Sequence, residues 1–324
     1  MDAAPLFAEV AKAPPGGRGF WLRTADGVRL RIGHWPASAS HRKDGAARGT
    51  VLLFPGRTEY IEKYGLTVAL FAAQGYDVVV NDWRGQGLSD RPLPDRDMGH
   101  VLNFSDYQLD VAAISAAVAS LSLPGPLFLL AHSMGGCIGL RALISGLDVA
   151  AAGFSGPMWG IGISAALRPF AGPIARIATA TGRGQRYAPG TGPVTYVVGA
   201  GFDGNSLTSD AAMFGFMQGQ LAAHPELALG GPSLAWLAAA LQECRSLATL
   251  PAPAVPTYCG LGRKEMVVDP RPVHRRMAAW RGAQFELFDD ARHELMMEVP
   301  KVRDRFHSSV LAHYASVQES PTSV

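Results

Sequence analysis

Three cysteines in 324 residues are too few for a disulfide framework. Cys137, Cys244 and Cys259 stand far apart in apolar surroundings, without the paired spacing of a zinc site. They read as buried free thiols, and neither a metal nor a cofactor is expected. Charge is sparse too: charged residues make up 17% of the chain against 48% hydrophobic, with a formal net charge of +2. No block of lysine and arginine is present, which excludes the electrostatic footprint of a nucleic-acid binder. No apolar run approaches the ~18 residues that suggest a spanning helix. Met1 to Phe7 has neither the basic region nor the unbroken apolar stretch of a secretory leader. A cytoplasmic protein is expected, with contact at the inner face of a membrane and the oligomeric state left open. What is present is length and apolar content for a large core, as one domain with an insertion or as two domains.

Strand and helix signals alternate along most of this length. Residues 1–17, rich in Ala, Pro and Gly, predict an irregular lead-in. Residues 20–24 and 28–32 alternate apolar and polar around Asp26-Gly27, a hairpin signal. After a polar loop at 41–48, buried strands are expected at 50–54 and 76–80 with a helix between them. Asp82 then leads into a glycine-rich turn and is expected to pin it at Arg84-Gly85. Ser105 stands three residues before Gln108, as a capping box would require, and Tyr107, Val111, Ile114, Val118 and Leu121 mark one helical face. Further strands are expected at 149–154, 255–260 and 284–288, and helices at 234–247, 271–280 and from Pro300 onward. This rhythm implies an α/β protein with a mostly parallel central sheet flanked by helices. Residues 157–232, rich in Gly, Ala, Pro, Met and Phe, lack a strand rhythm. They are expected to form a helical cap inserted into a core domain of residues 1–156 and 233–324; an ordinary α/β continuation is the alternative.

One stretch organises the chain. Residues 126–131 run apolar after Pro126, then the pattern turns helical, with Ser133 at the switch. Strand, sharp turn and helix with a serine at the apex make a nucleophile elbow. Ala131-His132-Ser133-Met134-Gly135 carries alanine where glycine is usual, a difference of one methyl group. A serine needs a base to take its proton and a third group to hold that base. On such a sheet the acid and then the histidine follow the serine in the chain. His293 lies in the loop after the last strand and is the expected base. Glu265 and Asp269 both follow the preceding strand; Glu265, the nearer, ranks ahead of Asp269 as the acid. Two backbone N–H groups should meet the developing oxyanion, one from Met134 and one from Arg57, which follows Pro55-Gly56.

The ordered set of motifs resembles bacterial lysophospholipases of the α/β-hydrolase fold, close to the monoacylglycerol lipases. The matching stretches start at Phe54, Asp82, Gly99, Ala131, Ser155 and Ala291 and span most of the sheet domain. The resemblance implies a cap domain and a Ser–acid–His triad at Ser133, Glu265 and His293. Two positions depart from it: Pro55 stands where monoacylglycerol lipases carry histidine, and Glu265 where the family acid is usually aspartate. The expected activity is hydrolysis of the acyl ester of a single-chain lipid, through an acyl-enzyme on Ser133. A small-substrate carboxylesterase or thioesterase is the enzymatic alternative, and a catalytically silent binding protein the other. In the cap, Trp159, Phe170, Met213, Phe214, Phe216 and Met217 are expected to line an acyl-chain site, since methionine and aromatic side chains suit an adaptable apolar pocket.

Overall fold

The computed structural model describes residues 1–39, 46–164 and 166–319, so most of the expected polar loop at 41–48 lies outside the described residues. Among the described residues nine strands build one sheet. They are β1 (Asp2–Ala4), β2 (Arg18–Arg23), β3 (Arg29–Trp35), β4 (Gly49–Phe54), β5 (Tyr76–Asp82), β6 (Leu127–His132), β7 (Ala151–Ser155), β8 (Thr257–Gly262) and β9 (Gln284–Phe288). Their spatial order is β1-β2-β3-β5-β4-β6-β7-β8-β9. The first three strands and the β3–β5 pair are antiparallel; every pairing from β5 across to β9 is parallel. Gly27 sits in the β2–β3 turn with φ of 85°, as the hairpin signal requires.

The continuous apolar runs follow from helices on both faces. Alternate residues of the central strands feed two separate cores. Leu52, Phe54, Leu129, Ala131, Ala152 and Phe154 pack with α3 (Asp106–Ser120), α4 (Ser133–Ile144), α8 (Leu234–Thr249) and α9 (Pro270–Ala279). Val51, Leu53, Phe128, Leu130 and Ala151 face α2 (Gly65–Ala73) and α10 (Pro300–Glu319). Among the described residues between β7 and β8 no strand joins the sheet; α5 (Arg168–Ala180), the single turn α6 (Tyr196–Gly199), α7 (Ala211–Ala223) and α8 occupy that interval.

Two local expectations need correction. The lead-in is not irregular throughout, because β1 pairs with β2 and the turn α1 (Ala8–Ala11) follows. No capping box forms at α3: Ser105 is already in helical conformation and its side chain caps nothing. The Gln108 side chain turns instead to the Ile138 carbonyl, to which it donates at 3.2 Å. Tertiary packing of α3 on α4 outweighs a bond worth about 1 kcal/mol.

Candidate active site

Ser133 opens α4 directly from β6, with φ of 50°. That left-handed conformation is strained for a residue with a side chain and is kept only where the surroundings impose it. Here the imposing feature is the close crossing of α4 over the end of β4. A Cβ on Gly135 would lie 2.2 Å from the Phe54 carbonyl oxygen and 2.5 Å from that of Pro55. Ala131 is fully buried, yet its methyl group fits: even a Cβ added to Gly139 of the facing helix would stand 3.4 Å away.

His293 and Glu265 come from the loops after β9 and β8. The His293 Nδ1 lies 2.7 Å from Glu265 Oε2, and both side chains are buried. Glu265 Oε1 also accepts the backbone N–H groups of Val267, at 2.7 Å, and Val268, at 3.1 Å. Burial pushes the Glu265 carboxyl up, but the His293 charge and these bonds outweigh it and hold it below its ordinary value. Burial pulls the His293 imidazole down; the facing Glu265 reverses this and leaves it raised. Gly156 completes the contact with φ of 48°, since a Cβ there would sit 3.2 Å from His293 Nδ1. Asp269 is elsewhere: it caps α9 through the Arg271 N–H at 3.1 Å and pairs with the Arg271 guanidinium at 2.8 Å. Pro270 at the first helical position marks that cap in the sequence.

The loop after β4 is held from three sides. The Trp83 indole donates to the Pro55 carbonyl at 2.8 Å, and the Glu59 carboxylate accepts the Gly56 N–H. Gln86 accepts the Thr58 N–H at 3.2 Å and donates to the Gly56 carbonyl at 3.0 Å. Between these occupied neighbours the Arg57 N–H has no acceptor among the described residues. The Met134 N–H belongs to the first turn of α4, which has no intrahelical carbonyl to reach. Asp82 does pin the following turn, through the Leu88 N–H at 2.8 Å, while it also takes Arg31 Nε at 2.7 Å. Arg84 is held instead by Asp26 and Asp110.

Four buried polar residues beside His293 escaped the sequence reading. Lys63 Nζ bridges Glu59 Oε1 at 2.6 Å and Glu294 Oε1 at 2.7 Å. His132 stands against the same carboxylates, its Nε2 3.5 Å from Glu59 Oε1 and 3.3 Å from Glu294 Oε2. Its Nδ1 donates to the Ser155 carbonyl at 2.9 Å, and its ring centroid lies 4.8 Å from that of His293. Burial pushes Glu294 up, but Lys63 and His132 outweigh it and hold the carboxyl well below the usual range. Glu59, His132 and Glu294 have the spacing of a cation site, and the Lys63 ammonium already supplies a cation there. The signal available in the sequence was Glu59 and Lys63 one helical turn apart in an otherwise buried stretch.

Ser133 and His293 line one cavity of about 380 Å³, together with Arg57, Glu59, Lys63 and Glu294. Its apolar wall comes from Val194, Tyr196, Val197, Leu207, Met217 and Leu221. Of the six cap residues expected there, Met217 alone is on the wall. Trp159 lies in the sheet core against Phe154 and Trp280, its indole donating to the Gly136 carbonyl at 3.1 Å. Phe214 is buried against Phe202, Phe216 sits under the Lys12 ammonium, and Met213 is partly buried off the cavity. Phe170 points to solvent at 60% exposure, because α5 turns its small residues Gly172 and Ala175 inward.

Known proteins extend this picture. The family model described as "Serine aminopeptidase, S33" matches residues 45–300. A probable lysophospholipase L2 of Haemophilus influenzae is 31% identical over 277 residues, covering 85% of this chain and 86% of its own. Lysophospholipase L2 of Escherichia coli is 34% identical over 269 residues, covering 78% and 76%. Among solved structures, a soluble variant of the monoglyceride lipase of Saccharomyces cerevisiae superposes with a TM-score of 0.70 at 20% identity, over 91% of this chain and 94% of that one. The sheet order, the elbow at Ser133 and these matches over most of the length agree, and the chain belongs to the α/β-hydrolase family that the serine aminopeptidase model describes.

Proposed function

We propose that the protein is a serine ester hydrolase that cleaves the acyl ester of single-chain lipids, lysophospholipids foremost. One observation carries this reading: Ser133 and His293, the latter held by Glu265, line a single cavity with an apolar wall. Ser133 Oγ attacks the acyl carbonyl as His293 Nε2 takes its proton, and Glu265 holds the opposite N–H. The N–H groups of Arg57 and Met134 receive the charge that grows on the carbonyl oxygen. His293 then passes the proton to the departing glycerol oxygen, leaving the acyl group on Ser133. Water, deprotonated by the same histidine, releases the fatty acid. The long lysophospholipase relatives support the substrate class. A protein–ligand cavity of 300–1,000 Å³ is the usual size, which this one meets.

Residues 157–232 serve in this reading as a cap, since most of the apolar wall belongs to them. Burial is worth about 0.8 kcal/mol per methylene, so kcat/KM should climb a few-fold per added carbon until the site is full. Assay of esters from two to sixteen carbons, with Ser133→Ala as the control, tests the proposal. Ser133→Ala should lose roughly four to six orders of magnitude. An optimum at two to four carbons would leave a small-ester hydrolase instead.

The cap also presents a surface suited to a membrane. Leu167, Phe170, Ile174 and Ile177 are each more than half exposed and recur at helical spacing along α5. From 149 to 202 the chain carries Arg168, Arg176, Arg183 and Arg186 and no acidic residue. An apolar stripe among arginines complements an anionic lipid surface, which is where single-chain lipids reside.

A further inference from the structure

Arg57 lines the Ser133 cavity beside Glu59 and Glu294, which are both paired with Lys63. Arg57 has no carboxylate within ion-pair distance among the described residues. Its guanidinium lies over the Trp236 ring, 5.5 Å from the centroid, and Nη1 donates to the Gly230 carbonyl at 2.9 Å. The seat is shaped to it: a Cβ on Gly99 would stand 2.9 Å from Nη1. The other guanidinium N–H groups have no acceptor among the described residues, although arginine offers five donors. Burial pulls this guanidinium down to about 10, with no neighbouring carboxylate to offset it. Arg91, which burial also lowers to about 10, lies off this cavity; it donates to the Gly87, Arg96 and Ala228 carbonyls and keeps a buried Nε without a partner among the described residues. Lys63, the other cation lining the cavity, is spent on Glu59 and Glu294. Of the two, Arg57 and Lys63, only Arg57 has no carboxylate partner among the described residues.

We propose that the Arg57 side chain is the phosphate seat of the site, receiving the phosphodiester of a lysophospholipid whose acyl ester is held at Ser133. The proposal rests on the ester-hydrolase reading of the same cavity and narrows it. A planar guanidinium pairs with two phosphate oxygens at once, and it is weakly enough hydrated to be held ready in a partly buried site. A monoacylglycerol offers only a hydroxyl at that place and leaves the cation unpaired. The side chain therefore discriminates between two lipids that present the same ester, while the main chain of the same residue serves the oxyanion.

The test compares ratios, which separates the side chain from any shared effect on the ester. For Arg57→Met, which keeps the apolar stem, kcat/KM on octanoyl lysophosphatidylcholine relative to monooctanoylglycerol should fall at least tenfold. Arg57→Lys, which keeps the charge and loses the fork, should fall between. A ratio unchanged in both variants overturns the proposal, as does a wild-type enzyme without preference for the phosphate-bearing ester. Calorimetric binding of 1-O-octyl-glycero-3-phosphocholine and 1-O-octylglycerol, ethers with no bond to cleave, gives a second readout independent of turnover. Wild type should bind the phosphate-bearing ether more tightly, and Arg57→Met should lose that preference. Arg57-dependent binding of inorganic phosphate without preference for the phospho-ether would also overturn the lipid assignment. Failure of the hydrolase reading would show separately, as wild type that turns over neither ester.

Discussion

Glu265 and Asp269 are four residues apart, yet only Glu265 reaches His293, while Asp269 ends on Arg271. The difference can be measured through pH. His293 must be neutral to act as base, so kcat/KM should rise with pH as it loses its proton. Burial pulls its pKa down, but Glu265 outweighs this, so the acid limb should lie above the ordinary histidine value of about 6.5. Glu265→Gln removes the opposing charge; the limb should move to lower pH while kcat falls by roughly two to four orders of magnitude. Asp269→Asn should leave the limb in place and cost only a helix cap, about 1 kcal/mol. A limb displaced by Asp269→Asn and not by Glu265→Gln would transfer the role. That Glu265 and His293 would meet was legible, because strand order places both loops at one sheet edge and Glu265 follows β8 closely. The Glu59–Lys63–His132–Glu294 cluster was not, since its members come from three distant segments and only packing joins them.

Elements built from a run of apolar residues were the most legible: β4 occupies residues 49–54, where a buried strand was expected at 50–54, and every one of its residues is buried. Facing was less so. In α5 the large apolar residues suggest an inward face, but it packs on α8 through Gly172 and Ala175, because helices approach closely only where side chains are small. The elbow shows the same rule at its tightest. Gly135→Ala would drive a Cβ into two backbone carbonyls, which cannot swing aside as a side chain can. It should destabilise the protein by about 2 kcal/mol or more. Gly215 of α7 has open space where its Cβ would go, so Gly215→Ala should stabilise by up to about 1 kcal/mol. Urea unfolding of the two variants checks both signs, and a tolerated Gly135→Ala would mean that α4 and β4 can separate.

At the scale of the whole molecule, apolar surface and charge are distributed unevenly. No helix among the described residues is long and apolar enough to cross a membrane. The formal net charge of +2 hides a stretch of 54 residues, 149–202, that has arginines and no acids. That stretch carries most of the large apolar side chains left exposed, Val194 and Val198 as well as those of α5. An exposed apolar patch of this kind costs solubility unless something covers it, and the cavity it helps wall takes a lipid in the reading above. Each arginine near an anionic surface is worth about 1 kcal/mol and is screened by salt. The protein should therefore bind vesicles containing phosphatidylglycerol, more weakly at high salt and more weakly still to vesicles of phosphatidylcholine alone. Replacing two stripe residues, Ile174→Glu with Ile177→Glu, should cut vesicle binding at least tenfold, since each buried side chain contributes roughly 1.5–3 kcal/mol. Co-sedimentation measures the binding, and kcat/KM on a soluble monomeric ester serves as the reference for folding. Vesicle binding that survives the double substitution would show that α5 is not the face that meets the lipid.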